Sequence, residues 1–191
     1  MYFGNYEQDN NTGNGKEKIE WEVLAVEKDR VMLISRYCLD AMPYNSEQAN
    51  VTWSDSTIRT WLNSTFYYEA FNQKEQNSVK YTSLENKANE KYGKNDGEIT
   101  SDRVYLLSHE EVLAYFKTET SREVTATKYA QSKGVKVSEL KDFKGNCDWW
   151  LRTQGDSYLA MTVGVSGGCA LKGSSVQLGT VGVRPVIWVS K

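Results

Sequence analysis

The segment Asp148–Lys191 reads DWWLRTQGDSYLAMTVGVSGGCALKGSSVQLGTVGVRPVIWVSK, and its pattern decides the fold. Both ends of the segment are apolar and rich in tryptophan, with Trp149 and Trp150 near the start and Trp188 near the end. Between the ends, single apolar residues alternate with polar ones, and Gly-Gly and Gly-Ser pairs interrupt the alternation. This pattern is typical of short strands joined by tight turns. We therefore predict a rigid frame around a chemically permissive interior, which favours a surface for display over a catalytic centre.

Two arginines, Arg152 and Arg184, lie within the apolar ends of this segment. A charged side chain in an apolar strand needs a partner, because burying an unpaired charge is costly. Stacking on a neighbouring tryptophan, or a bidentate pair with a carboxylate, would provide that partner. We interpret both arginines as parts of the frame rather than as ligand contacts.

The composition fits one domain over residues 1–191 with a core of its own. The chain carries 23 basic and 25 acidic residues, a balance that predicts no nucleic acid and no anionic membrane as a partner. No apolar run approaches the roughly 18 to 20 residues of a membrane helix, and the first residues lack the pattern of a secretory signal. We expect a protein without membrane insertion that is cytoplasmic, phage-associated or displayed at a surface by another route.

Cysteine and histidine usage gives no sign of a metal or redox centre. Cys38, Cys147 and Cys169 are spaced too widely for a disulfide framework or a zinc site, so we expect them to be reduced and structural. The single histidine, His109, follows Ser108 at the predicted start of a helix. The sequence also lacks a nucleophile elbow, a zinc-protease motif, a phosphate-binding loop and a dinucleotide fingerprint. We predict no metal, no cofactor and no catalytic residue.

The rest of the chain predicts further strands and a few helices. Residues up to about Glu17 are rich in Asn and Gly and indicate a loop or frayed terminus. Alternating and then continuous apolar residues predict an antiparallel hairpin over 19–35. Polar residues over 82–100 predict a surface loop. Capping residues and helical spacing predict helices over 54–62, 66–79, 108–116 and 127–134.

Several motifs, in order, link the chain to a known group of sequences. They are IEWEVL (19–24), LISRYCLD (33–40), TWSDSTIRTWLN (52–63), FYYEAF (66–71), VYLLS (104–108), WWLRT (149–153) and GVRPVIW (182–188). Through them, nearly the whole chain resembles an uncharacterised bacterial and phage domain family without an assigned activity. That family in turn is similar to the C-type lectin fold of formylglycine-generating enzymes and of the variable proteins of diversity-generating retroelements. The closing Gly-Val-Arg-Pro and the Thr-Trp-Ser-Asp before a helix are the points of similarity.

The resemblance implies an α+β, C-type lectin-like fold with twisted antiparallel sheets and two or three flanking helices. In retroelement variable proteins, ligand-facing residues near the C-terminus vary while the framework is kept. Carried onto this chain, the framework comprises Trp149, Trp150, Leu151, Arg152, Ala160, Val163, Gly167, Gly173, Val176 and residues 182–185, and Trp188 joins it from the apolar end. The implied ligand-binding residues are Asp156, Ser157, Tyr158, Leu159, Thr162, Gly164, Val165, Ser166, Gly168, Ala170, Lys172, Ser174, Ser175 and Gln177. We expect the segment 148–191 to bind an unknown protein or a cell-surface ligand.

The chain departs from both relatives at their functional motifs. The Glu-Pro-Asn and Trp-Asn-Asp calcium motifs of sugar-binding lectins are absent, so the resemblance does not extend to calcium-dependent sugar binding. The closely spaced cysteine pair of formylglycine-generating enzymes has no counterpart, because Cys147 and Cys169 are far apart in sequence. Two alternatives stay open: an enzyme related to those oxidases that uses Cys147 or Cys169, and a receptor-binding structural component of a phage or surface protein.

Overall fold

The computed structural model describes residues 1–93 and 96–191. Within these residues the chain forms two five-stranded sheets and one two-stranded hairpin. The strands are β1 (Tyr2–Tyr6), β2 (Glu17–Val26), β3 (Arg30–Ser35), β4 (Asp40–Ala41), β5 (Thr82–Asn86), β6 (Gly97–Asp102), β7 (Val104–Tyr105), β8 (Trp149–Gln154), β9 (Leu159–Val163), β10 (Cys169–Ser175), β11 (Gly182–Val183) and β12 (Val186–Ser190). The α-helices are α1 (Thr57–Trp61), α2 (Tyr67–Ala70), α3 (Gln73–Ser78), α4 (His109–Tyr115), α5 (Glu119–Arg122) and α6 (Lys128–Lys133). The fold is therefore α+β, mostly sheet with short helices.

The segment 182–190 connects the two large sheets. The first sheet has the order β1-β2-β3-β12-β7, and the second has the order β10-β9-β8-β11-β4. β11 and β12 are consecutive in the chain, yet each lies inside a different sheet. Between them, the Pro185 carbonyl accepts the Ser35 N–H over 2.9 Å and continues the first ladder. Pairing is antiparallel except at Gly182 and Trp149, where β11 runs parallel to β8.

One hydrophobic core cluster lies against both sheets. β12 is buried at four of its five residues, because it is a central strand covered on both faces. The largest fully buried side chains include Trp21, Trp53, Trp149 and Trp150. Tryptophan rings of this size fill the space between the sheets and the helices, so the tryptophan-rich ends of the C-terminal segment form part of the core.

Where the sequence has strong local signals, the predicted elements are present. The hairpin predicted over 19–35 is β2 and β3, with Val23 opposite Leu33. The helix predicted over 108–116 is α4, capped by Ser108 through a capping box with Glu111. The predicted helix over 54–62 begins later, because Ser56 caps α1 through the Arg59 N–H. The helix predicted over 66–79 is interrupted after Ala70, and Asn72 caps α3 separately.

Two predictions of loops are wrong. The terminus up to Glu17 contains β1, whose residues pair with the edge of β2. The polar stretch 82–100 contains β5 and the start of β6, which form a hairpin with Leu84 opposite Thr100. β1, β5 and β6 carry few buried side chains, so their sequences lack the apolar alternation that marks a strand. Residues 94 and 95 of that stretch lie outside the described residues.

Candidate ligand-binding surface

Most of the residues implied to contact a ligand lie on β9, β10 and the turns around them. Among the described residues, β10 is the edge strand of the second sheet. Ala170, Leu171 and Lys172 in this strand are exposed. An edge strand keeps backbone N–H and C=O groups that another chain can pair with. In β10, however, the Leu171 and Lys172 carbonyls already accept hydrogen bonds from Asn89 and Asp156, so the strand offers mainly its exposed side chains at the surface.

The turn between β8 and β9 carries Asp156, Ser157 and Tyr158. The Leu159 N–H donates to the Asp156 carbonyl over 2.8 Å, and the Ser157 N–H donates to the Asp156 carboxylate over 2.7 Å. Tyr158 has a φ of 64°, in the left-handed region that bulky residues rarely adopt, and it is 48% exposed. Such a conformation persists only when the surrounding structure holds it. The turn thus presents the tyrosine ring from a fixed backbone.

An irregularity in β10 ties this turn to the edge strand. The pairing of β10 with β9 shifts register between Ala170 and Ser174. Gly173, within the shifted part, has a φ of 91°, a conformation that glycine adopts without steric cost. The Lys172 carbonyl accepts the Asp156 N–H over 2.8 Å. The bulge therefore fixes Lys172 beside the turn that carries Tyr158.

The residues after β10 lie next to the turn that carries Tyr158. The Val176 N–H donates to the Tyr158 carbonyl over 3.0 Å, and Gln177 Nε2 donates to the Ser46 carbonyl over 3.2 Å. Val176 is buried, whereas Ser175 and Gln177 on either side of it are exposed. Four exposed side chains are thus brought to one end of the β9–β10 hairpin by backbone hydrogen bonds. We call this group the recognition patch: Tyr158, Lys172, Ser175 and Gln177.

The turn between β9 and β10 lies at the opposite end of the hairpin. The Gly164 N–H donates to the Gly168 carbonyl over 2.8 Å, and Gly167 has a φ of 80°. β9 has five residues, which span about 17 Å in an extended strand. Val165, Ser166 and Gly168 are therefore separated from the recognition patch, and the implied residues divide into two groups.

The implied residues differ in their exposure. Tyr158, Ala170, Lys172, Ser175 and Gln177 are exposed. Those that are half-buried are Asp156, Ser157, Leu159, Gly164, Val165, Ser166, Gly168 and Ser174. Thr162 is only 2% exposed, and its Oγ1 lies 3.4 Å from Ser174 Oγ. Placing Thr162 at the ligand-facing surface is wrong, because its side chain is buried, as are those of the other β9 residues from Ala160 to Val163.

The tryptophans of the frame are anchored by their indole N–H groups. Trp149 Nε1 donates to the Arg122 carbonyl over 3.1 Å, and Trp150 Nε1 donates to the Met42 carbonyl over 3.0 Å. Both side chains are fully buried, and Trp188 is 6% exposed. A buried indole with a satisfied N–H contributes area without leaving a polar atom unpaired. β8 is thereby anchored beside β9, next to the hairpin in the same sheet.

Both arginines of the frame have partners of the expected kind. Arg152 forms a bidentate pair with the Glu111 carboxylate and donates to the Leu106 carbonyl over 3.1 Å. Arg184 is paired with Glu22 over 3.3 Å and stacks on the Trp149 ring at 5.1 Å. Burial lowers the pKa of Arg184. These contacts tie β8 to α4, and the connection between β11 and β12 to β2.

A cleft of about 140 Å³ opens beside the hairpin, between α4, the end of β8 and residues 85–90. Its lining includes His109, Asn89 and Gln154. Burial lowers the pKa of His109 and so favours its neutral imidazole. Asn89 Nδ2 donates to the Leu171 carbonyl over 2.6 Å and joins the cleft wall to the edge strand. The walls come from separate parts of the chain, so no local motif marks this cleft in the sequence.

The cysteines are arranged differently from the pairing considered for an oxidase. Cys38 and Cys147 are fully buried free thiols, whereas Cys169 is half-buried beside Arg122. Burial raises the pKa of the Cys38 thiol and that of the Cys169 thiol. The thiolate is the reactive form of cysteine, so these environments disfavour nucleophilic chemistry at Cys38 and Cys169.

Three carboxylates, two in the loop after β1 and one at the start of β2, lie close together. Oxygen atoms of Glu7, Asp9 and Glu17 lie within 4.8 Å of one another. The Glu17 carboxylate accepts the Gln8 N–H over 2.7 Å, and the Glu7 carboxylate accepts the Asn11 N–H over 3.0 Å. The sequence prediction did not single out this cluster. Its contacts are those of a loop held by its own backbone amides.

The comparisons with known proteins define a family and no activity. The family model described as a domain of unknown function (DUF6273) matches residues 28–191, and the chain belongs to this family. The comparison with curated proteins and that with solved structures find no match. In the described part of the chain, none of the helices combines the length and apolar character needed to span a membrane.

Proposed function

We propose that this chain is a ligand-binding module of C-type lectin-like fold that recognises a protein or cell-surface ligand through the β9–β10 hairpin. The observation that carries the proposal is the recognition patch. Its four exposed side chains are held by backbone hydrogen bonds between two turns and an edge strand, above a buried tryptophan frame. Side chains that make few contacts on a fixed backbone are free to change without loss of the fold.

The chemistry of the patch suits recognition of a mixed polar and apolar surface. Tyr158 supplies a large contact area with few rotatable bonds, as tyrosine does in antibody paratopes. Lys172 adds a cation, while Ser175 and Gln177 add hydrogen-bonding groups.

The first test separates binding from folding. Replacing Tyr158, Lys172, Ser175 and Gln177 together with alanine is expected to change the free energy of unfolding by no more than about 1 kcal/mol, because isolated surface substitutions have small effects. Binding would be compared on peptide and glycan arrays, with the ligands bound by the unchanged protein as the reference. The four-residue variant is expected to lose at least about 100-fold in affinity for them, since a few central contacts carry most binding energy.

A matched control uses equally exposed side chains elsewhere. Val23, Ile99 and Leu140 are 51%, 69% and 63% exposed, and the variant with alanine at all three is expected to keep array binding. Loss of cooperative folding in the four-residue variant would contradict the proposal. So would array binding that survives in that variant.

The relation to diversity-generating retroelements has a separate test. If this copy is a variable protein, a near-copy of the coding segment for 148–191 that differs at adenines is expected beside a reverse transcriptase gene. Sequencing of the genomic neighbourhood decides this point without affecting the binding proposal.

A further inference from the structure

Arg103 differs from the other arginines of the chain in its partners. The chain has seven arginines. Five form ion pairs with carboxylates, namely Arg30, Arg36, Arg59, Arg152 and Arg184, and Arg122 donates to the Phe116 carbonyl. Within residues 1–93 and 96–191, the Arg103 guanidinium has neither an ion pair nor a hydrogen bond, and its Nε is buried without an acceptor. This cation therefore lacks the compensation that the other six have.

Two tyrosine rings hold the Arg103 guanidinium between them. Its central carbon lies 4.8 Å from the Tyr67 ring centroid and 4.3 Å from the Tyr81 ring centroid. Tyr67 is buried, whereas Tyr81 is 60% exposed and Tyr68, whose ring packs against Tyr67 at 5.1 Å, is 63% exposed. Stacking on ring faces leaves the N–H groups at the edge of the guanidinium plane free to donate. Of the two rings that contact the guanidinium, the exposed Tyr81 ring lies on the solvent side of the resulting site.

The backbone at Arg103 is fixed by Asn63. Asn63 Oδ1 accepts the Arg103 N–H over 2.8 Å and the Val104 N–H over 3.2 Å, and Asn63 Nδ2 donates to the Val104 carbonyl over 2.8 Å. A cation on a fixed backbone and between two rings loses little freedom when it binds a ligand. The site is preorganised.

The carboxylate of Asp102, which precedes Arg103 in the chain, already accepts hydrogen bonds from other residues. Asp102 Oδ1 accepts from Arg59 Nε over 2.8 Å, and Asp102 Oδ2 accepts from Trp53 Nε1 over 2.8 Å. Lys80, which precedes Tyr81, is exposed and adds a second positive charge to this part of the surface. The local charge therefore favours an anion from outside the chain.

We propose that Arg103, between Tyr67 and Tyr81, binds an oxyanion of a ligand, either a carboxylate or a phosphate group. Guanidinium groups bind both anions through two parallel N–H···O bonds. The site contains no residue of the recognition patch. It is therefore a second binding site, and it does not depend on the proposed function of the hairpin.

The test follows the arginine side-chain N–H signals by NMR while an anion is added. Inorganic phosphate, phenyl phosphate, acetate and benzoate are titrated separately, so that phosphate is distinguished from carboxylate and the contribution of an aromatic group is measured. Arg30 is the internal control, because it stacks on the Trp188 ring at 4.3 Å but is already paired with Glu27. We expect a saturating shift of the Arg103 Nε–H signal and no saturating shift of the Arg30 signal.

Variants separate the charge from its geometry. Arg103→Lys keeps the charge but loses the planar fork, and we expect it to weaken anion binding by about tenfold. Tyr81→Ala is expected to weaken anion binding by about threefold, because it removes one of the two rings on which the guanidinium stacks. The control variant Arg30→Lys is expected to leave anion binding unchanged. The four-residue variant of the recognition patch should bind anions as the unchanged protein does. An Arg103 signal that saturates with none of the four anions, or equal shifts at Arg30, would overturn the proposal.

Discussion

At the scale of single residues, Tyr6 and Asp40 form a buried pair whose protonation affects stability. The Tyr6 hydroxyl donates to Asp40 Oδ2 over 2.5 Å, and both residues are less than a tenth exposed. Burial raises the pKa of the Asp40 carboxyl above its ordinary value of 3.8, and this effect outweighs the hydrogen bond from Tyr6, which lowers the pKa. The folded protein therefore keeps a proton on Asp40 at pH values where the unfolded chain has lost it.

The difference in the pKa of Asp40 between the folded and unfolded states determines whether stability rises or falls with pH. Because the folded state binds more protons, stability falls as the pH rises from 3.8 through the raised pKa of Asp40. Asp40→Asn cannot titrate, so its stability relative to the unchanged protein should increase across that interval and then level off. Urea unfolding measured from below pH 3.8 to neutral pH checks this, with Glu47→Gln, an exposed carboxylate, as the control. Parallel stability curves for Asp40→Asn and the unchanged protein would refute it.

At the scale of elements, the hairpin under the recognition patch depends on close backbone contacts at particular glycines. A side chain at Gly155 would overlap the Lys172 carbonyl oxygen and approach the Gly173 Cα to 3.2 Å. At Gly168, the nearest atoms to an added Cβ are side-chain oxygens of Glu119 and Ser166, both at 3.7 Å. The two glycines lie at opposite ends of one hairpin, yet only Gly155 is sterically required.

We therefore expect different effects from the same substitution. Gly155→Ala should lower the free energy of unfolding by about 1–3 kcal/mol, the usual cost of overpacking, because β10 must move. Gly168→Ala should change it by less than about 0.5 kcal/mol. Thermal and urea unfolding of both variants measure the effect, and equal losses would argue against the described packing of β10 on the β8–β9 turn.

The elements also show what local sequence can predict. α4 and the β2–β3 hairpin were predictable, because a capping box at Ser108 and a continuous apolar run in β3 are local signals. β5 and β6 were not, since most of their side chains face solvent and only pairing defines them. All four residues of the recognition patch were named, but only through the resemblance and within a longer set of implied residues. The recognition patch is separated from the β9–β10 turn, and Thr162 is buried, because of how the strands pair and pack. No single segment of the sequence encodes this arrangement.

At the scale of the whole molecule, the tryptophans connect the sheets through a common core. Trp150 lies in β8 of the second sheet, and its ring contacts that of Tyr44 at a centroid distance of 5.7 Å. Trp188 lies in β12 of the first sheet. One core cluster includes all three side chains, so neither sheet has a core of its own.

This arrangement predicts a single cooperative transition. Trp150→Ala should lower the free energy of unfolding by about 3–5 kcal/mol, as for other large core aromatics. Far-ultraviolet circular dichroism and tryptophan fluorescence should give coincident urea transitions in the unchanged protein and in the variant. Separate transitions for the two probes would mean that the two sheets unfold independently, contrary to a one-domain chain.

The place of β11 and β12 has a consequence for the synthesis of the chain. Each occupies an interior position of its sheet, although every other strand precedes both in the sequence. During translation, β3 and β7 of the first sheet and β8 and β4 of the second have unpaired edges until residues 182–190 have left the ribosome. Exposed edges of this kind aggregate readily. A stop codon anywhere before Gly182 would thus yield a polypeptide in which both large sheets are incomplete and β3, β7, β8 and β4 have unpaired edges.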